Sequence, residues 1–314
     1  MKKLLLIGLG LVCANLAFAS PSGDPILDAV APNSSAKTKP ATKAKTKATK
    51  HKSSHASHKV AASQTNRSPK LYSYSAFAID AANSQVIVSK NPDVVLPIAS
   101  ITKLMTAMVV LDSKANLDDY VAISQDDVDT LRNTFSRLKV GMELRRRDLL
   151  LLALMSSENR AASAIARTAY AGGMKEFITR MNAKAKSLGM TQTKFLDPTG
   201  LTVENTSTAT DLAKMVQAAF KYDLIREDTT TKGADVMLSP RYVHHYVNSD
   251  ALVRGDSFQI ELSKTGFINE AGHCLVLYAI VDHRPIVMIF LNSSGKSGRL
   301  VDAMTVKGYV DRMQ

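Results

Sequence analysis

Apolar residues recur along this chain at two spacings, separated by a long stretch that has almost none. Leu71 to Asp80 and Gln85 to Lys90 read as two strands that turn at Ala82-Asn83-Ser84. From Ser100 onward the spacing becomes helical, with Leu104, Met105, Met108, Val109 and Leu111 at intervals of three and four. Asp148 to Met155 and Ala161 to Ala166 continue the helical pattern, which holds to about Tyr222. Strand patterning returns from about Tyr242. Ser257 to Glu261 alternates, and two apolar runs, Cys274 to Val281 and Ile286 to Leu291, flank Asp282-His283-Arg284-Pro285 as a hairpin would. Helices inserted between two sets of strands predict a mixed α/β domain with an antiparallel sheet. No internal repeat is visible.

The first 70 residues follow neither pattern. Lys2-Lys3, the apolar Leu4 to Val12 and Ala17-Phe18-Ala19 have the layout of an export signal peptide over residues 1–19, with cleavage after Ala19. Cys13 suggests a lipoprotein signal, but bulky Val12 stands where such signals need a small residue. Residues 20–70 read as a linker that lacks the apolar content for a core, and residues 71–314 as one catalytic domain. After cleavage Cys274 is the sole cysteine, so no intrachain disulfide can form, and its apolar strand makes it a buried, inert thiol.

Charge is distributed just as unevenly. Of the chain's net +12, residues 1–70 carry twelve Lys/Arg against two Asp, so the folded part is close to neutral. The tail is therefore expected to be a solvated tether able to contact an anionic envelope surface. Nucleic acid is excluded as its partner by export and by the lack of aromatic residues among the lysines. No later stretch is long enough to span a membrane.

Three short motifs carry the candidate chemistry: Ser100-Ile101-Thr102-Lys103, Ser157-Glu158-Asn159 and Lys264-Thr265-Gly266. Each is weak alone. Ser34/Lys37, Ser136/Lys139 and Ser293/Lys296 repeat the first spacing, and Lys296-Ser297-Gly298 imitates the third. Context selects among them. Of these serines only Ser100 opens a helical pattern, where Lys103 one turn later shares its face. Ser157-Glu158-Asn159 falls between two helical blocks, so it reads as a turn; an ordinary capping turn is the alternative for that triplet taken alone. Lys264-Thr265-Gly266 lies on a strand, and an edge strand can pair with an extended peptide.

In this order the three motifs resemble those of the active-site-serine, penicillin-recognising enzymes. The chain is similar to the low-molecular-mass penicillin-binding proteins, the D-alanyl-D-alanine carboxypeptidase/endopeptidase family (peptidase S11), and within it to the type-7 D-alanyl-D-alanine endopeptidases. The resemblance covers about residues 71–310. It includes Phe195-Leu196-Asp197-Pro198-Thr199-Gly200-Leu201, Ser207-Thr208-Ala209-Thr210-Asp211-Leu212-Ala213 and Lys264-Thr265-Gly266-Phe267-Ile268 with Glu270-Ala271-Gly272. Glu158 departs from the glycine usual at that point in type-5 carboxypeptidases.

The resemblance implies a β-lactamase/transpeptidase-like fold, an antiparallel five-stranded sheet covered by helices plus an all-helical subdomain. It implies Ser100 as nucleophile, Lys103 as general base, and Ser157 and Asn159 as proton relay and substrate clamp. Lys264, Thr265 and Gly266 would bind substrate, and the backbone N–H groups of Ser100 and Phe267 would form the oxyanion hole. Neither a cofactor nor a metal is expected: His51, His55 and His58 lie in the tail, and His244-His245 lacks helix-spaced partners. The expected partners are peptidoglycan peptide stems and β-lactam antibiotics, and the expected location is the periplasm, with no transmembrane or C-terminal anchor. Rival readings are a D-alanyl-D-alanine carboxypeptidase, a class A-like β-lactamase and a non-catalytic wall-binding protein. The β-lactamase needs a deacylating glutamate that Thr191 to Leu201 lacks.

Overall fold

The computed structural model describes residues 69–255 and 258–313; the expected signal peptide and nearly all of the expected linker lie outside them. The chain opens with a hairpin of β1 (Ser73–Asp80) and β2 (Val86–Lys90), then a two-residue strand β3 (Leu96–Pro97) and helix α1 (Thr102–Asp112). The helical part follows: strands β4 (Tyr120–Ala122) and β5 (Glu143–Arg145), then α2 (Arg146–Met155), α3 (Asn159–Arg167) and α4 (Gly173–Ser187). Strand β6 (Thr206–Ser207), α5 (Ala209–Ala219) and α6 (Asp223–Thr230) lead back toward the sheet through a second hairpin, β7 (Gly233–Ser239) and β8 (Tyr242–Val247). The chain ends with α7 (Ala251–Arg254), the long strands β9 (Gln259–Ile268), β10 (Gly272–Val281) and β11 (Arg284–Ser293), and helix α8 (Gly298–Val310).

The main sheet has five strands in the order β2-β1-β11-β10-β9, every neighbour antiparallel. The N-terminal hairpin thus pairs with the C-terminal one, Phe77 opposite Ile289, and β9 is left at an edge. Both faces are covered, which is why β10 and β11 read as unbroken apolar runs. Leu275, Leu277, Met288 and Phe290 pack on one face with Ala303, Val306 and Val310 of α8. Val276, Tyr278, Ile289 and Leu291 belong to the larger core on the other face, which extends through α1 to α5.

The expected five-stranded sheet and helical part are both present. Strand structure returns at Gly233, earlier than expected, because Val236 and Leu238 of β7 alternate inward. Helix α8 was not foreseen: its buried face is made of small and medium residues, Ala303, Val306 and Val310, whose periodicity is faint. The turn between β10 and β11 is tighter than the four-residue break suggests. Asp282 and His283 alone form it, with φ of +48° and +59°, a left-handed pair that matches the strands' twist.

Candidate active site

Ser100 lies just ahead of α1, in a single 3-10 turn, Ala99–Ile101, that runs into the helix. The sequence suggested that Ser100 itself opens the α-helix; instead Ala99, at φ +47°, turns the chain and Ser100 projects from the tighter turn. The crowding explains the turn. A Cβ on Gly266 of β9 would stand 3.0 Å from the Ile98 carbonyl oxygen and 3.2 Å from the Ser100 nitrogen, so the edge strand and the serine turn are in backbone contact.

Lys103, one helical turn on, is almost fully buried, and its Nζ makes three bonds: to Ser100 Oγ at 2.9 Å, to Asn159 Oδ1 at 2.7 Å and to the Thr199 carbonyl at 2.7 Å. Burial lowers its pKa to about 7, against the opposing charges of Asp197 and Glu158. Asn159 begins α3 and donates its amide to Thr134 Oγ1 at 3.1 Å, which fixes the orientation of its carbonyl toward the lysine.

Ser157 occupies the turn between α2 and α3 at φ +64°, as its place between helical blocks predicted. Its Oγ accepts a 3.0 Å bond from Lys264 Nζ. Lys264 is also nearly fully buried, and its Nζ donates to the Thr265 carbonyl as well. Its pKa is far below the ordinary lysine value, first through burial, then through the charges of Lys103 and Arg299, with Asp250 opposing. Lys103 is thus depressed by its burial, while the charge of Lys103 adds to the lowering of Lys264. Two buried ammoniums this close share less than two protons.

All three motifs therefore meet at one cleft between the edge strand and the helical part. Ser100, Ser157, Asn159 and Phe267 line a cavity of about 420 Å³ together with Leu131, Arg132, Thr134, Leu201, Ile268 and Asn269. The imitators stand elsewhere: Ser136 lies in a loop, Ser293 ends β11, and Lys296-Ser297-Gly298 forms the turn into α8. The structure describes nothing of Ser34. Cys274 is fully buried on β10, and burial pushes its thiol up to about 11.

Several supporting residues were not singled out from sequence. Asp197 Oδ1 accepts from the N–H groups of Thr199 and Gly200 and from the Thr199 hydroxyl, and Oδ2 accepts from the Thr202 N–H at 3.0 Å, so one carboxylate shapes the loop whose carbonyl meets Lys103. Ser249 Oγ accepts a 2.8 Å bond from the Thr265 hydroxyl. Asp250 takes the Ser263 hydroxyl at 2.6 Å behind Lys264. Arg299, at the start of α8, donates to the carbonyls of Gly266 and Cys274, both at 2.9 Å. The only prior signal was for Asp197, within the Phe195-to-Leu201 stretch of the resemblance.

A family model described as D-alanyl-D-alanine carboxypeptidase, Peptidase_S11, matches residues 61–295. The chain belongs to this family. It is 44% identical over 254 residues to a D-alanyl-D-alanine endopeptidase of Escherichia coli (strain K12), covering 81% of this chain and 82% of the relative. A D-alanyl-D-alanine endopeptidase of Pseudomonas aeruginosa is also 44% identical, over 78% of this chain and 79% of its own length. Among solved structures, the Streptomyces K15 DD-transpeptidase superposes with a TM-score of 0.72 at 28% identity, over 77% of this chain and 98% of that one. The mixed α/β fold with its five-stranded antiparallel sheet is the fold of that family.

Proposed function

We propose that the chain is a serine DD-endopeptidase that cleaves D-Ala-containing cross-links in peptidoglycan and is acylated by penicillin. The observation that carries this reading is the junction at Lys103, where one buried, weakly basic amine touches both the Ser100 hydroxyl and the Asn159 side chain. Ser100 Oγ attacks the carbonyl of a D-Ala-X bond while its proton passes to neutral Lys103. The backbone N–H groups of Ser100 and Phe267 hold the developing oxyanion. As the C–N bond breaks, Ser157, bridged to Lys264, passes a proton to the departing amine. Water then hydrolyses the ester and restores the serine.

Lys264 and Thr265 bind the carboxylate on the leaving side, and the negative charge of that carboxylate favours the protonated form of Lys264. Gly266 lets substrate backbone lie against the edge strand. Asn159 holds Lys103 and a substrate amide. The relatives at 44% identity are named endopeptidases, whereas carboxypeptidases of Bacillus subtilis and Escherichia coli match at 27–31%, which supports the endopeptidase over the carboxypeptidase reading. No cofactor enters this scheme.

We place residues 1–19 as a signal peptide, 20–70 as a basic linker that contacts the anionic envelope surface, and the enzyme in the periplasm. Among the described residues no helix is long and apolar enough to cross a membrane.

Two measurements test the reading. Labelled penicillin is expected to attach to Ser100 and not to Ser136 or Ser293, and Ser100→Ala to abolish labelling with the fold intact. Chromatography of muropeptides after incubation should show loss of cross-linked dimers; trimming of pentapeptide monomers alone would assign a carboxypeptidase.

A further inference from the structure

The cleft has a direction. Along β9, Lys264 and Thr265 come first, Gly266 abuts the Ser100 turn, and Phe267, Ile268 and Asn269 continue the wall to a turn at Glu270. If the leaving side sits at Lys264 and Thr265, as proposed above, the acyl side of the substrate runs past Phe267 toward Glu270. An extended peptide gains about 3.3 Å per residue, so the residue before the reacting D-Ala reaches the neighbourhood of that turn.

Arg132 stands opposite. Its Nε donates to the Leu201 carbonyl at 2.6 Å and its Nη2 to Glu270 Oε2 at 2.9 Å. Its own backbone N–H is held by Asp129 Oδ1 at 3.0 Å. One guanidinium therefore ties the loop after Asp129, the Leu201 loop and the β9–β10 turn together across the mouth of the cavity that holds Ser100. The pair is not buried: the side chains keep 20% and 47% of their exposure. Leu131 and Phe267, both more than half exposed, flank the approach with apolar surface.

We propose that Arg132 and Glu270 form an acyl-side subsite for a peptide side chain ending in an amino-acid head, with ammonium and carboxylate together. Such a head gives its carboxylate to Arg132 and its ammonium to Glu270, replacing one ion pair by two and leaving neither partner alone. A head with only one charge satisfies one partner and strands the other against a like charge. An exposed Arg–Glu pair is weak in water, so opening it costs little. The Leu201 carbonyl keeps the guanidinium fork aimed while Glu270 changes partner. Leu131 and Phe267 receive the methylene stem of the side chain.

This rests on the DD-peptidase reading, and the experiment separates the two. Peptides of the form Xaa-D-Ala-D-Ala, with Xaa ending in a methyl, an ammonium, a carboxylate or both charges, are used to protect Ser100 from labelled penicillin. Protection yields an apparent binding constant, which equals the dissociation constant where acylation by the peptide is slow beside its release. The wild-type protein is expected to bind the doubly charged peptide about ten-fold more tightly than the methyl peptide. In Arg132→Gln and in Glu270→Gln that ratio should fall to near one, while Arg132→Lys keeps part of it. A ratio within one variant does not depend on how much protein is folded. A wild-type ratio of one, or an unchanged ratio in both glutamine variants, overturns the subsite. Failure of penicillin to label wild-type Ser100 overturns the reading beneath it.

Discussion

A Cβ atom on Gly200 would lie 2.0 Å from the Ala99 carbonyl oxygen and 2.8 Å from the Ser100 nitrogen. The loop that reaches Lys103 through the Thr199 carbonyl is thus pressed, backbone to backbone, against the turn that presents the serine. Gly200 also has φ +84°, so both space and backbone geometry demand glycine. Gly200→Ala is expected to cost about 2–4 kcal/mol, the sum of left-handed strain and overpacking. Penicillin acylation should fall further than stability, because the Ser100 nitrogen itself must move. Thermal unfolding and the second-order acylation rate check this together.

Lys103 gives a stability test whose sign follows from its pKa. In the folded state it titrates near 7 and unfolded near 10.5, so between those values the unfolded chain binds more protons. Stability then rises with pH through that window, and the burial penalty is largest below about pH 7. Lys103→Met, an apolar replacement of similar length, should be more stable than wild type by about 1–4 kcal/mol near neutrality. The gap should narrow as pH climbs toward 10. Denaturant titrations across pH measure it, and a gap that widens with pH would sink the assignment.

The same amine sets the acylation profile. The penicillin acylation rate is expected to rise with pH through about 7, as Lys103 becomes neutral. Glu158 is buried one residue from Ser157 and Asn159, and its carboxylate raises the Lys103 pKa. Glu158→Gln should therefore move the profile to lower pH. Lys264→Ala should reduce the rate but leave the profile in place, because burial and the carboxylates of Asp197 and Glu158 set the Lys103 pKa. A shift of the Lys264→Ala profile upward would show that Lys264 is charged beside Lys103 in the free protein.

Cys274 is expected to resist thiol reagents at pH 8 in the native protein and to react at once on unfolding. Burial denies access, and a thiol at about 11 holds almost no thiolate at that pH. Reagent uptake against denaturant concentration should follow the unfolding curve, and rapid labelling of the native protein would contradict its burial.

Wherever the pattern was strong and local, the elements could be read from the chain. The apolar runs of β10 and β11 announced a hairpin, and the helical spacing after Ser100 announced α1. The site was legible to the same degree and for a similar reason. Ser100 and Lys103 are one turn apart, and Ser157 in the turn before α3 is two positions from Asn159 at its start, so their spacing survives in sequence. What joins them does not. Thr199 reaches Lys103 across 96 positions and Lys264 reaches Ser157 across 107, distances over which spacing carries no geometric information.

How far the pKa of each lysine falls was likewise undecidable from residue types. It depends on how completely each is buried and on where Asp197, Glu158 and Asp250 stand around them. Sequence determined which residues were available and which local turns would carry them. Only tertiary packing, by closing the Gly200 loop and edge strand β9 onto the serine turn, determined which of them touch, and burial in that closure sets the charge each one carries.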